Sequence, residues 1–178
     1  MSNHKIIFTG PVGAGKSTAI SSISDIPPVS TDETASDMTK NRKAGTTVAM
    51  DYGVMNLDGS ERIHLYGTPG QERFDFMWDI LTEGGIGLVL LVNNSRPDPF
   101  QDLHFFLNAF DAFIGQARVV IGVTRMDESV RPTIADYYLQ LKHFNHKIPI
   151  LEVDARERRD VSLLVQALLY SLDPGVEG

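Results

Sequence analysis

A glycine-rich segment near the N-terminus carries the clearest chemistry of the chain. Residues 10–17 read GPVGAGKS and directly follow an apolar run at residues 6–8. In this G-x-x-x-x-G-K-S pattern the backbone N–H groups cradle phosphates, Lys16 reaches the β- and γ-phosphates, and the Ser17 hydroxyl binds Mg²⁺. The following residues can begin a helix, whose N-terminal dipole favours an anion. The motif therefore predicts a site for a nucleoside triphosphate.

Length and charge limit the classes of protein to which the chain can belong. Its 178 residues fit one domain, residues 1–178, with one substantial core. The formal net charge is -7. Nucleic-acid binding requires clustered lysine and arginine, which this sequence lacks. We therefore expect no nucleic-acid partner.

The sequence also bears on the compartment. It contains no cysteine, which fits a reducing cytoplasm. The chain enters its first predicted strand too early for a signal peptide, and the longest apolar stretch, residues 84–92, is about half the length needed to span a bilayer. No C-terminal cysteine is present for prenylation. These features predict a cytoplasmic protein without a membrane anchor of its own.

The hydrophobic pattern alternates between strands and helices. Strands are predicted at residues 5–9, 47–57, 62–67, 87–93, 118–124 and 148–153. Helical stripes between and after them are expected to face the core, and they comprise Leu103, Phe106, Leu107 and Phe110, and Val161, Leu164, Val165, Leu168 and Leu172. This order predicts an α/β fold with about six strands in a mainly parallel sheet and helices on both faces.

Two segments depart from this alternation. Residues 47–67 contain two strands joined by NLDGS, and Asp58-Gly59 favours a tight hairpin. One antiparallel strand is therefore expected at an edge of the sheet. Residues 26–45 are polar and proline-containing, and a loop of this length inside a domain is usually functional.

Four further segments give the sequence a family resemblance. GTPGQERF at residues 67–74 and TRMD at residues 124–127, together with the phosphate loop, resemble the G3, G4 and G1 motifs of Ras-like small GTPases. TVAMDY at residues 47–52 is similar to the switch I threonine and edge strand of Rab-type members, and DAR at residues 154–156 lies where the family has its S-A-K loop. The resemblance implies a Ras-like GTPase domain over essentially the whole chain.

Within that superfamily the sequence is most similar to the prokaryotic Ras-like group that includes MglA and the conservon GTPases. FMWDI at residues 76–80, after the GTPGQERF run, is typical of this bacterial group. The resemblance implies a switch that binds GTP and GDP with Mg²⁺ and hydrolyses GTP. It also implies regulatory partners, namely a GTPase-activating protein or exchange factor, often of roadblock type, and an effector at the switch regions.

The resemblance assigns roles in hydrolysis. Thr47 would close over Mg²⁺ and the γ-phosphate, with Thr46 as the competing candidate. Gly70 would offer its N–H to the γ-phosphate, and Gln71 would orient the attacking water. Gln71, Lys16 and Thr47 are thus the expected catalytic residues. The phosphate-loop contacts are expected from Val12, Gly13, Ala14, Gly15, Lys16, Ser17 and Thr18.

Two positions near the phosphates depart from the family pattern. Gly67 stands where the family has an aspartate that holds the Mg²⁺ shell. Ser17 and Thr47 are therefore the expected protein ligands, and the strand position of Asp51 disfavours it as a substitute. Val12 replaces a glycine in many members, and its side chain would crowd Gln71, which predicts slow intrinsic hydrolysis.

Asp127 is expected to select the base. Its carboxylate can accept hydrogen bonds from N1–H and the 2-amino group of guanine, which adenine lacks. Thr124 and Arg125 replace the asparagine and lysine of the family motif. Arg125 can still cover the base, whereas the shorter Thr124 is expected to lose a contact with the phosphate loop. The resemblance places Ala155 at the nucleotide as well.

The helix after Gln71 shows two apolar faces. Phe74, Met77, Trp78 and Leu81 share one face, and Phe76 and Ile80 lie almost opposite. The second face suits either a partner or a neighbouring helix. Two other functions stay open: a nucleotide-binding scaffold with little hydrolysis, and, with less support, a P-loop kinase or ATPase.

Overall fold

A central sheet organises the part of the protein that the computed structural model describes, residues 3–30, 51–69, 75–144 and 147–172. Its strands are β1 (Asn3–Thr9), β2 (Val29–Ser30), β3 (Asp51–Asn56), β4 (Arg62–Gly67), β5 (Gly87–Asn93), β6 (Arg118–Thr124) and β7 (Ile150–Glu152). The helices are α1 (Lys16–Ile23), α2 (Asp75–Thr82), α3 (Pro99–Ala109), α4 (Asp111–Ile114), α5 (Ile134–Gln140) and α6 (Arg158–Leu172). A short 3₁₀ turn spans Met126–Glu128.

The strand order confirms the predicted α/β class. The strands follow one another in the order β2-β3-β4-β1-β5-β6-β7. All neighbours from β4 to β7 pair in parallel, whereas β3 is antiparallel to both β4 and β2. The six predicted strands are present, but the two-residue β2 lies outside β3 and forms the edge. A two-residue strand has no period of its own, so the sequence pattern could not predict it.

The predicted hairpin joins β3 to β4. Asp51 pairs with Gly67 at its open end, and Asn56 pairs with Arg62 near the turn. The turn is closed by a hydrogen bond from the Leu57 N–H to the Glu61 carbonyl oxygen at 3.0 Å. Gly59 has φ of +78°, as a tight hairpin turn requires. Of the predicted strand at residues 47–57, positions 47–50 lie outside the described residues.

Two apolar layers cover the sheet. One packs α1 and α6 against one face, and the other packs α2, α3 and α5 against the opposite face. The predicted stripes are confirmed as core: Leu103, Phe106, Leu107, Phe110, Val161, Leu164, Val165 and Leu168 are all buried. Leu172, at the end of α6, is only half-buried. In the described ranges, each helix is too short or too polar to cross a lipid bilayer.

The two faces of α2 differ as expected. Trp78 and Leu81 are buried, and the Trp78 ring stacks on Phe110 with centroids 5.1 Å apart. Ile80 lies on the other side of the helix with 60% of its surface exposed. Phe74 lies outside the described residues, as does the side chain of Phe76. The apolar face that includes Ile80 is therefore exposed to solvent at that residue.

Gly10 is a position where a side chain cannot fit. Its φ is +145°, and a Cβ built there would lie 2.1 Å from the Leu91 carbonyl oxygen. We expect Gly10→Ala to lower the free energy of unfolding by about 2–5 kcal/mol, because a backbone cost of about 1–2 kcal/mol and a steric cost of about 1–3 kcal/mol add. Urea unfolding would measure the change.

Gly13→Ala is the matched control for Gly10→Ala. Gly13 also has positive φ, +82°, but no atom lies within 4 Å of a Cβ built there. Its substitution should lower stability by about 1–2 kcal/mol through the backbone conformation alone. Equal losses for the two variants would contradict the argument from the Leu91 contact.

Candidate nucleotide-binding site

The phosphate loop lies between β1 and α1, as the motif predicts. Gly15 precedes the first residue of α1 and has φ of +98°, so the loop turns sharply into the helix. The Lys16 ammonium donates to the carbonyl oxygens of Gly10 at 2.7 Å and Pro11 at 2.9 Å. The lysine charge is thereby held at the loop whose N–H groups and helix terminus favour an anion.

Asn93 is a site residue that the sequence reasoning missed. It ends β5 beside the loop, and its Nδ2 donates to the Gly13 carbonyl oxygen at 3.3 Å. Its Oδ1 accepts from the backbone N–H of Ser95 at 2.9 Å and from the Ser95 hydroxyl at 2.7 Å. A polar residue at the carboxyl end of an otherwise apolar strand was the available signal. Asn93 therefore links Gly13 of the phosphate loop to the end of β5.

Thr124 keeps the contact that its short side chain was expected to lose. Its hydroxyl lies 3.1 Å from the Ala14 carbonyl oxygen and 3.3 Å from that of Val92, and the residue is 4% exposed. The expectation was wrong because β6 ends close enough to the loop for a threonine to reach it. Asn93 and Thr124 together hold two successive carbonyl groups of the loop.

Thr124→Val should speed release of bound nucleotide. Valine keeps the shape of threonine but removes the hydroxyl, and one buried hydrogen bond of this kind contributes about 1–2 kcal/mol, equivalent to about 5- to 30-fold. Stopped-flow release of a fluorescent nucleoside diphosphate measures the effect. Thr124→Ser retains the hydroxyl and should release nucleotide at the wild-type rate. A valine variant as slow as wild type would show that the Ala14 contact is dispensable.

A cavity of about 550 Å³ adjoins the loop on the side of β6. Asp127 lies in the 3₁₀ turn that follows Arg125, a residue in the left-handed conformation with φ of +59°. Arg125 Nη1 lies 3.2 Å from Glu128 Oε1. The cavity is lined by Ala14, Gly15, Thr18, Thr124, Arg125, Met126, Asp127, Glu128, Glu152, Val153, Asp154, Ala155, Arg156 and Asp160. The predicted base-binding residues thus share one cavity with part of the phosphate loop.

Residues 154–156 line this cavity together with residues 124–128. Arg156 makes a two-pronged contact with Asp154, Nε to Oδ1 at 2.9 Å and Nη2 to Oδ2 at 2.8 Å. The Arg156 hydrogen bonds lower the pKa of Asp154 to about 2. The Asp154 carboxylate in turn raises the pKa of Arg156, and the charge of Asp127 adds to that rise. The Ala155 methyl group packs at the same edge, 3.0 Å from where a Cβ on Gly15 would lie.

A second polar pair lies at the start of α1. The Ser17 hydroxyl donates to Asp51 Oδ2 at 2.6 Å, although the sequence disfavoured Asp51 here. Hydroxyl and carboxylate oxygens are ligands that suit Mg²⁺, so the residues present fit the metal that a phosphate loop implies. When bound, the ion would neutralise charge on the phosphate oxygens.

Several predicted residues lie outside the described part of the chain. These are Thr46, Thr47, Gly70 and Gln71. The segment that precedes Gly70 is described up to Pro69, whose carbonyl oxygen accepts a hydrogen bond from Trp78 Nε1 at 3.1 Å.

Two described positions lie in or close to the phosphate loop. Thr68 contacts Thr9 through hydroxyl groups 2.7 Å apart. Val12, at the tip of the loop, has 56% of its surface exposed.

One known protein family matches most of the sequence. Residues 8–173 match a family described as "Conserved hypothetical ATP binding protein". The chain belongs to this family. With the geometry above, the match makes the chain a P-loop nucleotide-binding protein.

Individual relatives divide into two kinds. An uncharacterized protein of Methanocaldococcus jannaschii is 32% identical over 88 residues, which covers 49% of each chain. The alignment thus spans about half the length of that relative. The Ras-related protein RabC of Dictyostelium discoideum is 20% identical over 96% of this chain and 84% of its own. The Ras-related protein Rab-18-B of Danio rerio is 22% identical over 94% of this chain and 78% of its own. These matches show a distant similarity to Ras and Rab proteins over nearly the whole chain.

Proposed function

We propose that the protein is a small GTPase that binds GTP and GDP with Mg²⁺, hydrolyses GTP slowly and signals through its nucleotide-dependent segments. The cavity that joins the phosphate loop to Asp127 carries the proposal. It offers a phosphate-binding end and an acidic end within one space of about 550 Å³. The distant similarity to Ras-related proteins over nearly the whole chain supports it.

The choice of guanine follows from the chemistry of Asp127. A carboxylate is an acceptor only. The edge of guanine presents two donors to it, N1–H and the 2-amino group, whereas adenine presents an acceptor at N1 and no amino group at C2. An adenine in the same position would leave the carboxylate unpaired, and unpaired polar groups give strong discrimination. GTP and GDP are therefore the proposed ligands.

The proposed hydrolysis depends on residues outside the described ranges. Gln71 would orient the attacking water, Gly70 would contact the γ-phosphate through its N–H, and Thr47 would complete the Mg²⁺ shell with Ser17. Lys16 would stabilise charge on the phosphates. Val12 extends from the loop tip and would crowd Gln71, which makes turnover slow without a partner.

Partners are proposed at the segments that sense the nucleotide. Ile80, on the helix that follows Gln71, exposes 60% of its surface, and Val12 exposes 56%. Exposed apolar side chains near such segments suit a protein partner. We propose an effector together with a GTPase-activating protein or exchange factor, acting in the cytoplasm. A roadblock-type protein, as in prokaryotic Ras-like GTPases, is a proposed regulator.

ATP is the second candidate ligand, because the family to which the chain belongs is described as ATP-binding. An ATPase or kinase would then replace the GTPase. The acidic group at residue 127 disfavours adenine, as argued above. A scaffold that binds GTP with little hydrolysis is the remaining alternative.

One experiment separates these candidates. The purified protein is denatured, the nucleotide that it carries is identified, and labelled GTP or ATP is then followed with Mg²⁺. Bound GDP and slow conversion of GTP to GDP would support the proposal. Retention of intact GTP would support the scaffold, and preferential binding and conversion of ATP would overturn the choice of guanine.

A further inference from the structure

Asp51 and Gly67 share one space on neighbouring strands. They are direct cross-strand partners in the antiparallel pair of β3 and β4. A Cβ built on Gly67 would lie 3.1 Å from Asp51 Cβ, 3.2 Å from Asp51 Oδ2 and 3.1 Å from the Ile20 Cδ1 methyl group. The Asp51 side chain, together with the end of Ile20, therefore occupies the volume into which a side chain at position 67 would extend.

The Asp51 carboxylate is directed at the phosphate-loop hydroxyl. Its Oδ2 accepts the hydrogen bond from Ser17 at 2.6 Å, and the residue is 7% exposed. Ser17 itself is exposed, and both residues line a second cavity of about 500 Å³. A carboxylate has acceptor capacity beyond one hydrogen bond, so the pair can still face an ion and its water.

The arrangement meets the requirement of a phosphate-loop metal site. In P-loop proteins Mg²⁺ is held by the loop serine or threonine and by an aspartate on a strand beside the loop. Here β4 ends beside the loop with a glycine, and the carboxylate comes from β3 instead. We propose that Asp51 is the metal-positioning residue of this protein, transposed from position 67 to its cross-strand partner.

This inference rests on the proposed nucleotide-binding function, but it does not depend on the base. Its readout is the Mg²⁺ dependence of nucleoside diphosphate release, measured with fluorescent GDP or ADP, whichever binds. Asp51→Asn keeps the size of the side chain and removes the charge. We expect the Mg²⁺ concentration that half-maximally slows release to rise by about 10- to 100-fold, as for loss of a metal-supporting residue. In excess chelator the variant and wild type should release nucleotide at similar rates.

Asp58→Asn is the control for charge. Asp58 is exposed in the β3–β4 turn, and Asn-Gly suits that turn as well as Asp-Gly does. Its Mg²⁺ dependence should match that of wild type. A purely structural role for Asp51 would alter release equally with and without Mg²⁺.

The reciprocal exchange tests the shared space directly. Asp51→Gly combined with Gly67→Asp returns one carboxylate to that space without the overlap of two Cβ atoms, and it should recover much of the Mg²⁺ dependence that Asp51→Gly alone loses. This double variant tests whether a carboxylate in the shared space positions Mg²⁺, even if Asp51→Asn folds poorly. Wild-type Mg²⁺ dependence in Asp51→Asn, or no recovery in a folded double variant, would overturn the proposal. Preference for ADP would overturn only the choice of guanine, and binding of neither diphosphate would overturn both proposals.

Discussion

Replacing Lys16 with methionine should weaken GTP binding by about 10²- to 10⁴-fold. The ammonium already lies at the loop, 2.7 Å from the Gly10 carbonyl oxygen, so little movement is needed to meet the phosphates. Two hydrogen bonds to charged phosphate oxygens, at about 1.5–3 kcal/mol each, account for the size of the loss. Methionine keeps most of the length of the side chain and removes the charge. Calorimetric titration with GTP and GDP measures the change.

The control for Lys16→Met must separate phosphate binding from damage to the loop. Lys142→Met makes the same charge change at an exposed position and should bind GTP as wild type does. Guanosine carries no phosphate, so its weak binding should be equal in Lys16→Met and wild type. If guanosine binding falls in parallel with GTP binding, the substitution has distorted the cavity. If GTP affinity is unchanged, Lys16 does not bind the phosphates.

The larger elements were predictable because their patterns are strong. The strands β1, β5 and β6 each contain an unbroken apolar segment, at residues 6–8, 87–92 and 119–123, and β4, β5 and β6 have the predicted bounds. The stripe on α6 repeats every three or four residues and packs as core. Asp58-Gly59 identified the hairpin because few residue pairs suit its turn. The sequence could not indicate β2, since its two residues have no pattern and depend on β3 for pairing.

The details of the site depended on distances that spacing along the chain does not contain. Thr124 was expected to fall short of the phosphate loop, yet the end of β6 brings its hydroxyl to 3.1 Å from Ala14. The strand position of Asp51 disfavoured it as a metal residue, yet the fold places its carboxylate 2.6 Å from the Ser17 hydroxyl. In both cases the tertiary arrangement of backbone segments determines whether a short side chain can reach the phosphate loop.

Asp127→Asn should exchange the base preference of the protein. The amide can accept from the guanine N1–H through Oδ1, but its Nδ2 donor then faces the 2-amino donor of guanine. Xanthine carries a carbonyl oxygen at that position, which Nδ2 can hydrogen-bond. We expect GTP affinity to fall by about 10²- to 10³-fold, because the mismatched pair and the lost charge of the N1–H acceptor together cost about 3–4 kcal/mol. The affinity for xanthosine triphosphate should then exceed the affinity for GTP. Competition titrations with the two triphosphates measure both changes.

Glu128→Gln is the matched control for Asp127→Asn, since it converts the neighbouring carboxylate of the same cavity to an amide. Glu128 contacts Arg125 at 3.2 Å and is half exposed, so its substitution should leave the preference for GTP intact. If both variants lose GTP affinity to the same extent, the loss is caused by the lower negative charge of the cavity and not by the geometry at Asp127. If Asp127→Asn lowers the affinity for GTP without raising the affinity for xanthosine triphosphate, the carboxylate does not contact the base edge. Wild-type protein that prefers ATP would contradict the guanine assignment, because adenine offers Asp127 neither of the donors on which the assignment depends.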